Sequence, residues 1–142
     1  MKIQIRFSLL LFGLLACPAL WAGPLNVKII GLKNDNGTVR CGLFNQADGW
    51  RDEARALKNV VATAKNNTAV CDFGVVDPGT YALAVFHAEA NEHTVSYGFL
   101  GKPHQGVGFS NNPSIKFGAP KFSEAEFKIS EAPNSQSITI QY

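Results

Sequence analysis

Apolar residues in this chain return at every second position. "PLNVKIIGL" sets Leu25, Val27 and Ile29 to one side, and "GTVRCGLF" repeats the pattern with Val39, Cys41 and Leu43. Side chains alternate across a strand but wind around a helix, so this period predicts sheet with one face in a core. "NVVATAK", "TAVCDFGVV", "AEFKIS" and "SQSITIQY" are further strand candidates. "GTYALAVFHAE" is apolar on both sides, with Tyr81, Leu83, Val85 and His87 on one and Ala82, Ala84 and Phe86 on the other. A strand covered on both faces belongs at the centre of a sheet. About seven short strands with turn signals between them predict an all-β fold, a β-sandwich.

The turns carry their own chemistry. Asn36-Gly37 between the first two strands is a strong short hairpin signal, and it predicts that those strands pair. In Asp77-Pro78-Gly79 the proline presets φ and the glycine tolerates positive φ, so a turn delivers Tyr81 into the central strand. Only "DGWRDEARALKNV" argues for helix: Trp50, Ala54 and Leu57 fall at helical spacing, with Asp48 as the expected cap. There Trp50 is expected to lie as a lid on the core. The segment from Glu89 to Lys121 is long, rich in turn residues and weakly periodic. Structureless loops beyond about 12–15 residues are uncommon in compact domains. Tyr97, Phe99, Leu100, Val107, Phe109, Ile115 and Phe117 give it apolar weight that seeks burial, so it is expected to be an ordered flap packed on the sandwich.

The first 22 residues read as a signal peptide. Lys2 and Arg6 precede an apolar run from Phe7 to Ala16, Pro18 breaks it, and Ala22 is a small residue suited to cleavage before Gly23. The run falls short of the roughly 20 residues of a membrane span, so no span is expected in the mature chain. Leu14-Leu15-Ala16-Cys17 resembles a lipobox, which makes a lipoprotein anchored at Cys17 the less favoured alternative. The expected product is a single domain over residues 23–142, periplasmic or secreted. Lys+Arg 13 against Asp+Glu 11 gives the whole chain +2, and both surplus cations leave with Lys2 and Arg6. A neutral mature chain offers no net field for nucleic acid. Of 3 cysteines, Cys41 and Cys71 remain. In an exported protein they are expected to form a disulfide, since neither lies in C-x-x-C or beside a histidine.

Groups able to do chemistry are few and scattered. His87, His93 and His104 could suggest a transition-metal carrier, but their spacings match no standard ligand pattern. The same holds for catalysis. Ser96, Ser110 and Ser114 lie outside any G-x-S-x-G, and Glu89, Glu92, Glu124 and Glu126 show no pairing in sequence. Ser110, Asn111 and Asn112 in "GFSNN" are expected to satisfy backbone groups in a turn. No catalytic residue, cofactor or metal is assigned.

"PGTYALAVFH", "FLGKPHQGVGFSNN", "FGAPKFSEAEFKI" and the closing "ITIQY" together resemble the exported bacterial family known as domain of unknown function 2141, over Leu25–Tyr142. That resemblance implies an immunoglobulin-like or transthyretin-like sandwich in the cell envelope and carries no established activity. The Pro-Gly-x-Tyr turn is also similar to turns of transthyretin-like sandwiches, where the tyrosine anchors a corner. Members of the family commonly carry a calcium-type loop after the core strand. Here Ala88, Ala90, Glu92, His93 and Ser96 stand at positions of that pattern, so two oxygen ligands and the turn glycine are gone, and no calcium site is expected.

The leading expectation is therefore an exported non-enzymatic binding or structural module. Its candidate ligand-binding residues are His87, Tyr97, Phe99, His104, Phe109, Asn111 and Asn112, and its partner an envelope protein or small ligand of unknown identity. Irregular segments on a rigid scaffold are where recognition groups collect. One rival is a transthyretin-like hydrolase, which the ending "TIQY" counts against because those enzymes end in Tyr-Arg-Gly-Ser. The other is the three-histidine metal carrier.

Overall fold

A computed structural model describes residues 23–142; the expectations for the signal segment and for Cys17 lie outside the described residues. Eight strands follow one another: β1 (Gly23–Ile30), β2 (Thr38–Phe44), β3 (Lys58–Thr63), β4 (Ala69–Val76), β5 (Gly79–Ala88), β6 (Val107–Phe109), β7 (Phe127–Ile129) and β8 (Asn134–Thr139). They form two sheets, β4-β1-β8 and β3-β2-β5-β6, with β7 pairing on the first residues of β5. The β-sandwich and the central place of β5 are as the alternation predicts. The seven expected strands all form, and β6 is an eighth inside the flap.

The inward faces explain the sandwich. Leu25, Val27 and Ile29 of β1 and Phe73 of β4 are wholly buried, and they meet Val39, Leu43, Leu83 and Ile138 in one core. The Cys41–Cys71 disulfide ties β2 in one sheet to β4 in the other. Removing each such side chain from water contributes about 1.5–3 kcal/mol, which drives the two sheets face to face. One edge of the sandwich is also hydrogen-bonded shut. Val107 and Gln141 exchange backbone bonds of 2.9 and 2.8 Å, joining β6 to the chain beyond β8.

Asn36-Gly37 does not make a hairpin. β1 pairs with β4 and, in parallel, with β8, whereas β2 pairs with β3 and β5. The dipeptide instead turns the chain from one sheet to the other, with Gly37 at φ +64° and its Cα against the Ala88–Glu89 backbone. The hairpin signal specifies a sharp turn locally, and the core decides which strands pair across it. The helical expectation shrinks to one 3-10 turn, Glu53–Arg55, capped by Asp52 rather than Asp48. Asp48 pairs with Arg55 instead, and Asp48 is held below the usual carboxylate range by that guanidinium. A short helix α1 (Phe122–Ala125) follows the flap. Tyr81 anchors its corner, donating its hydroxyl hydrogen to the Asp77 carbonyl at 2.9 Å.

Candidate functional site

The outward faces of β2, β5 and β6 carry a second, smaller apolar layer. Ala82, Phe86, Ala88, Val107, Phe109 and Ala125 are buried there beneath Trp50, Val95, Ile115 and Phe122. Trp50 is the expected lid. Its ring packs edge-on against Phe44 and Phe122, with centroids 5.1 and 5.7 Å away, and its indole N–H donates to the Pro120 carbonyl at 2.9 Å.

Within "GKPHQGVGFSNN" the sequence reads directly into this layer. Val107 and Phe109 point outward and pin the flap, as their apolar character predicts. Gly106 and Gly108 face the other way, where a Cβ would run into Tyr142 and Ile140, or into Ile138 and Thr139. Ser110 is fully buried. Its Oγ accepts from the Leu83 amide at 2.9 Å and donates to the Ala125 carbonyl, so the hydroxyl is spent on backbone groups. Asn111 and Asn112 adopt positive φ, 67° and 50°. Asn111 donates to the Glu126 carbonyl at 2.8 Å, and Asn112 both donates to the Ser137 carbonyl and accepts from the Thr139 amide. Phe109, Asn111 and Asn112, three of the candidate ligand residues, thus hold the flap to the sandwich.

His87 is also committed internally. Its Nε2 lies 2.8 Å from the Asn36 carbonyl, which only accepts, so Nε2 carries a proton. In the neutral ring Nδ1 then accepts from the Tyr142 hydroxyl at 2.7 Å. Burial pushes the Tyr142 phenol above its ordinary value and keeps that proton in place. The same hydroxyl accepts from the Lys33 amide, and the Lys33 ammonium lies 4.9 Å from the ring centroid while pairing with Glu89 at 2.9 Å. With both nitrogens of His87 engaged and His93 and His104 exposed, the three histidines are not brought together as ligands. Among the described residues no three His, Cys, Asp or Glu side chains converge as a metal set. The carboxylates find other partners. Glu89 faces Lys33 and Asn34, Glu92 faces Gln105, and Glu124 caps α1.

What the flap does build is a groove of about 1160 Å³ over the outer face of the five-stranded sheet. Its floor is Gly42, Ala84, Phe86 and Val107. Arg40 crosses that floor, donating through Nε to Glu53 Oε2 at 3.2 Å with a second contact through its terminal nitrogen. One wall comes from the flap residues Val95, Tyr97, Leu100 and Pro103, the other from Ile115, Phe117 and Ala119. Tyr97 and Pro103 form a bridge that closes the turn carrying Phe99 and Leu100. Of the seven candidates, Tyr97 and Phe109 line the groove, while Phe99 and His104 stand exposed in the turn beside it. Arg40 and Glu53 are groove residues that sequence reasoning did not single out, whereas Tyr97, Phe99, Leu100 and Phe117, expected to seek burial in the flap, are instead exposed because the flap turns them to its rim. Alternation along β2 does place Arg40 on the outward face, but nothing local marks that face as a binding surface.

Among the described residues no helix is long and apolar enough to cross a membrane. No curated protein and no solved structure matches the chain. Residues 27–137, which take in most of both sheets and most of the groove lining, match the family described as an uncharacterized protein conserved in bacteria, and the chain belongs to that family, DUF2141.

Proposed function

We propose that this protein is an exported, non-enzymatic binding module of the bacterial envelope, and that the groove over β2, β5 and β6 takes a ligand with an apolar body and a polar end. The observation that carries the reading is the groove itself: an apolar floor of Ala84, Phe86 and Val107, interrupted by the Arg40–Glu53 pair. Sites for small ligands are concave, mostly apolar, and marked by a few fixed polar groups. Export is supported by the charged-then-apolar start of the chain and by the buried disulfide, which persists in oxidising compartments. The non-enzymatic reading is supported by the internal engagement of Ser110 and His87.

Trp50 supplies the assay. Of the chain's 2 tryptophans it alone lies beyond residue 22, and its ring packs against the groove residues Phe44 and Phe109. Titration with dodecanoate and with an anilinonaphthalene sulfonate should change its fluorescence saturably. Ala84→Phe, which fills the floor, should weaken that response at least tenfold while leaving the melting temperature within a few degrees. Absence of any saturable response to either probe, or an unchanged response in Ala84→Phe, would overturn the reading.

A further inference from the structure

The groove walls end in two turns whose apolar side chains point to solvent. Phe99 is 90% and Leu100 88% exposed, and Phe117 is fully exposed. Isolated exposed apolar residues are ordinary, but three large ones at the two lips of one groove make a patch that marks an interaction surface. The first tip is built rather than loose. Gly98 donates to the Lys102 carbonyl at 2.8 Å and accepts through its own carbonyl from Gly101 at 3.2 Å. Between them Leu100 is held at φ 62°, ψ 20°, left-handed geometry that is uncommon for a side chain of its size. Strained positions of this kind cluster where function requires them.

Charge surrounds the tips. Lys102 follows the first turn and Lys116 immediately precedes Phe117, while Arg51 lies on the rim beside the 3-10 turn. Asp52 and Glu53 are the rim acids. Asp52 caps the 3-10 turn, and Glu53 is neutralised by Arg40. The face therefore carries a cationic excess although the chain beyond residue 22 is neutral overall.

We propose that this face docks on an anionic lipid surface, with Phe99, Leu100 and Phe117 entering the boundary between headgroups and acyl chains and Lys102, Lys116 and Arg51 meeting the headgroups. Apolar insertion combined with cationic attraction is the chemistry of interfacial anchoring. A second copy of the chain is disfavoured because a two-fold contact through this face would set its basic rim against another basic rim. A rigid acidic protein would need pits matched to two protruding tips, whereas a fluid bilayer conforms to them.

The test is sedimentation of the exported protein, its N-terminus read by mass spectrometry, with vesicles of phosphatidylcholine alone and of phosphatidylcholine with about one quarter phosphatidylglycerol. Binding should favour the anionic vesicles and weaken with salt. Phe99→Ser, Leu100→Ser and Phe117→Ser together should weaken it about a hundredfold or more, from the apolar area withdrawn from lipid. Lys102→Glu with Lys116→Glu should erase the preference for anionic vesicles. All five positions are exposed, so each variant should melt with the parent. Ala84→Phe should leave vesicle binding intact, which separates this surface from occupation of the groove. No binding to either vesicle, or binding indifferent to the triple change, overturns the proposal. So does a concentration-dependent dimer in solution that the triple change abolishes.

Discussion

Replacing Ser110 by alanine tests the architecture beneath the groove. Its hydroxyl is the partner of two backbone groups, the Leu83 amide at 2.9 Å and the Ala125 carbonyl, and it has no solvent exposure. Alanine keeps the volume nearly unchanged and leaves both groups buried without a partner. An unsatisfied buried donor or acceptor costs about 1–3 kcal/mol, so the pair predicts a loss of about 2–4 kcal/mol. Against a domain stability of about 5–15 kcal/mol, that is a large fraction. Urea unfolding followed by Trp50 fluorescence, with the disulfide kept oxidised, is the direct assay. With a mid-range slope of about 2 kcal/mol per molar, the midpoint should fall by about 1–2 M with the slope unchanged. Ser123→Ala, on the exposed side of α1, should stay within about 0.5 kcal/mol of the parent. A loss below about 1 kcal/mol for Ser110→Ala would refute the reasoning, because it would mean that Leu83 and Ala125 find other partners. A surviving catalytic function of Ser110 would show instead as lost activity at full stability.

Two further outcomes follow from the same core and its edge. Cys41→Ala with Cys71→Ala opens a link across a sequence separation of 30 residues and should cost about 3–4 kcal/mol, read as a lowered urea midpoint; a thiol titration of the parent protein without reductant should find neither cysteine free. Glu89 is held below the usual carboxylate range, first by its bond to Lys33 and then by Asn34. A carboxyl depressed on folding contributes stability that is present above its unfolded value, about 4.3, and lost as pH falls through the lower folded value. Glu89→Gln should therefore flatten the acid limb of the stability–pH profile below about pH 4.5, and an unaltered limb would count against the contact.

Much of this architecture was legible from local pattern. Period-two alternation found seven strands because a half-buried strand writes its buried face into every second residue. It placed β5 at the centre because both faces of that strand are apolar. The same logic failed at β6, where Gly108, and Gly106 just before the strand, occupy the inward positions: close approach to β8 and Tyr142 demands the smallest residue, and glycine erases the apolar signal. Asn36-Gly37 was misread for a related reason. Turn propensity is local, whereas strand pairing follows the burial of residues distant in sequence. His87 shows the limit for the site. It is a prominent group on a strand, yet its partners, Asn36 and Tyr142, lie 51 and 55 residues away, and they make it a structural clasp.

By itself the sequence determined a β-sandwich, a Cys41–Cys71 disulfide and a flap rich in apolar and turn residues. These follow from properties that each residue carries alone: period, turn geometry and thiol count. Tertiary structure decided which flap residues are consumed and which are offered. Folding spends Ser110, Asn111 and Asn112 on backbone partners and presents Tyr97, Phe99, Leu100 and Phe117 around a floor crossed by Arg40 and Glu53. A groove is a relation between distant segments, and it exists only once the core has brought β2, β5, β6 and both walls together.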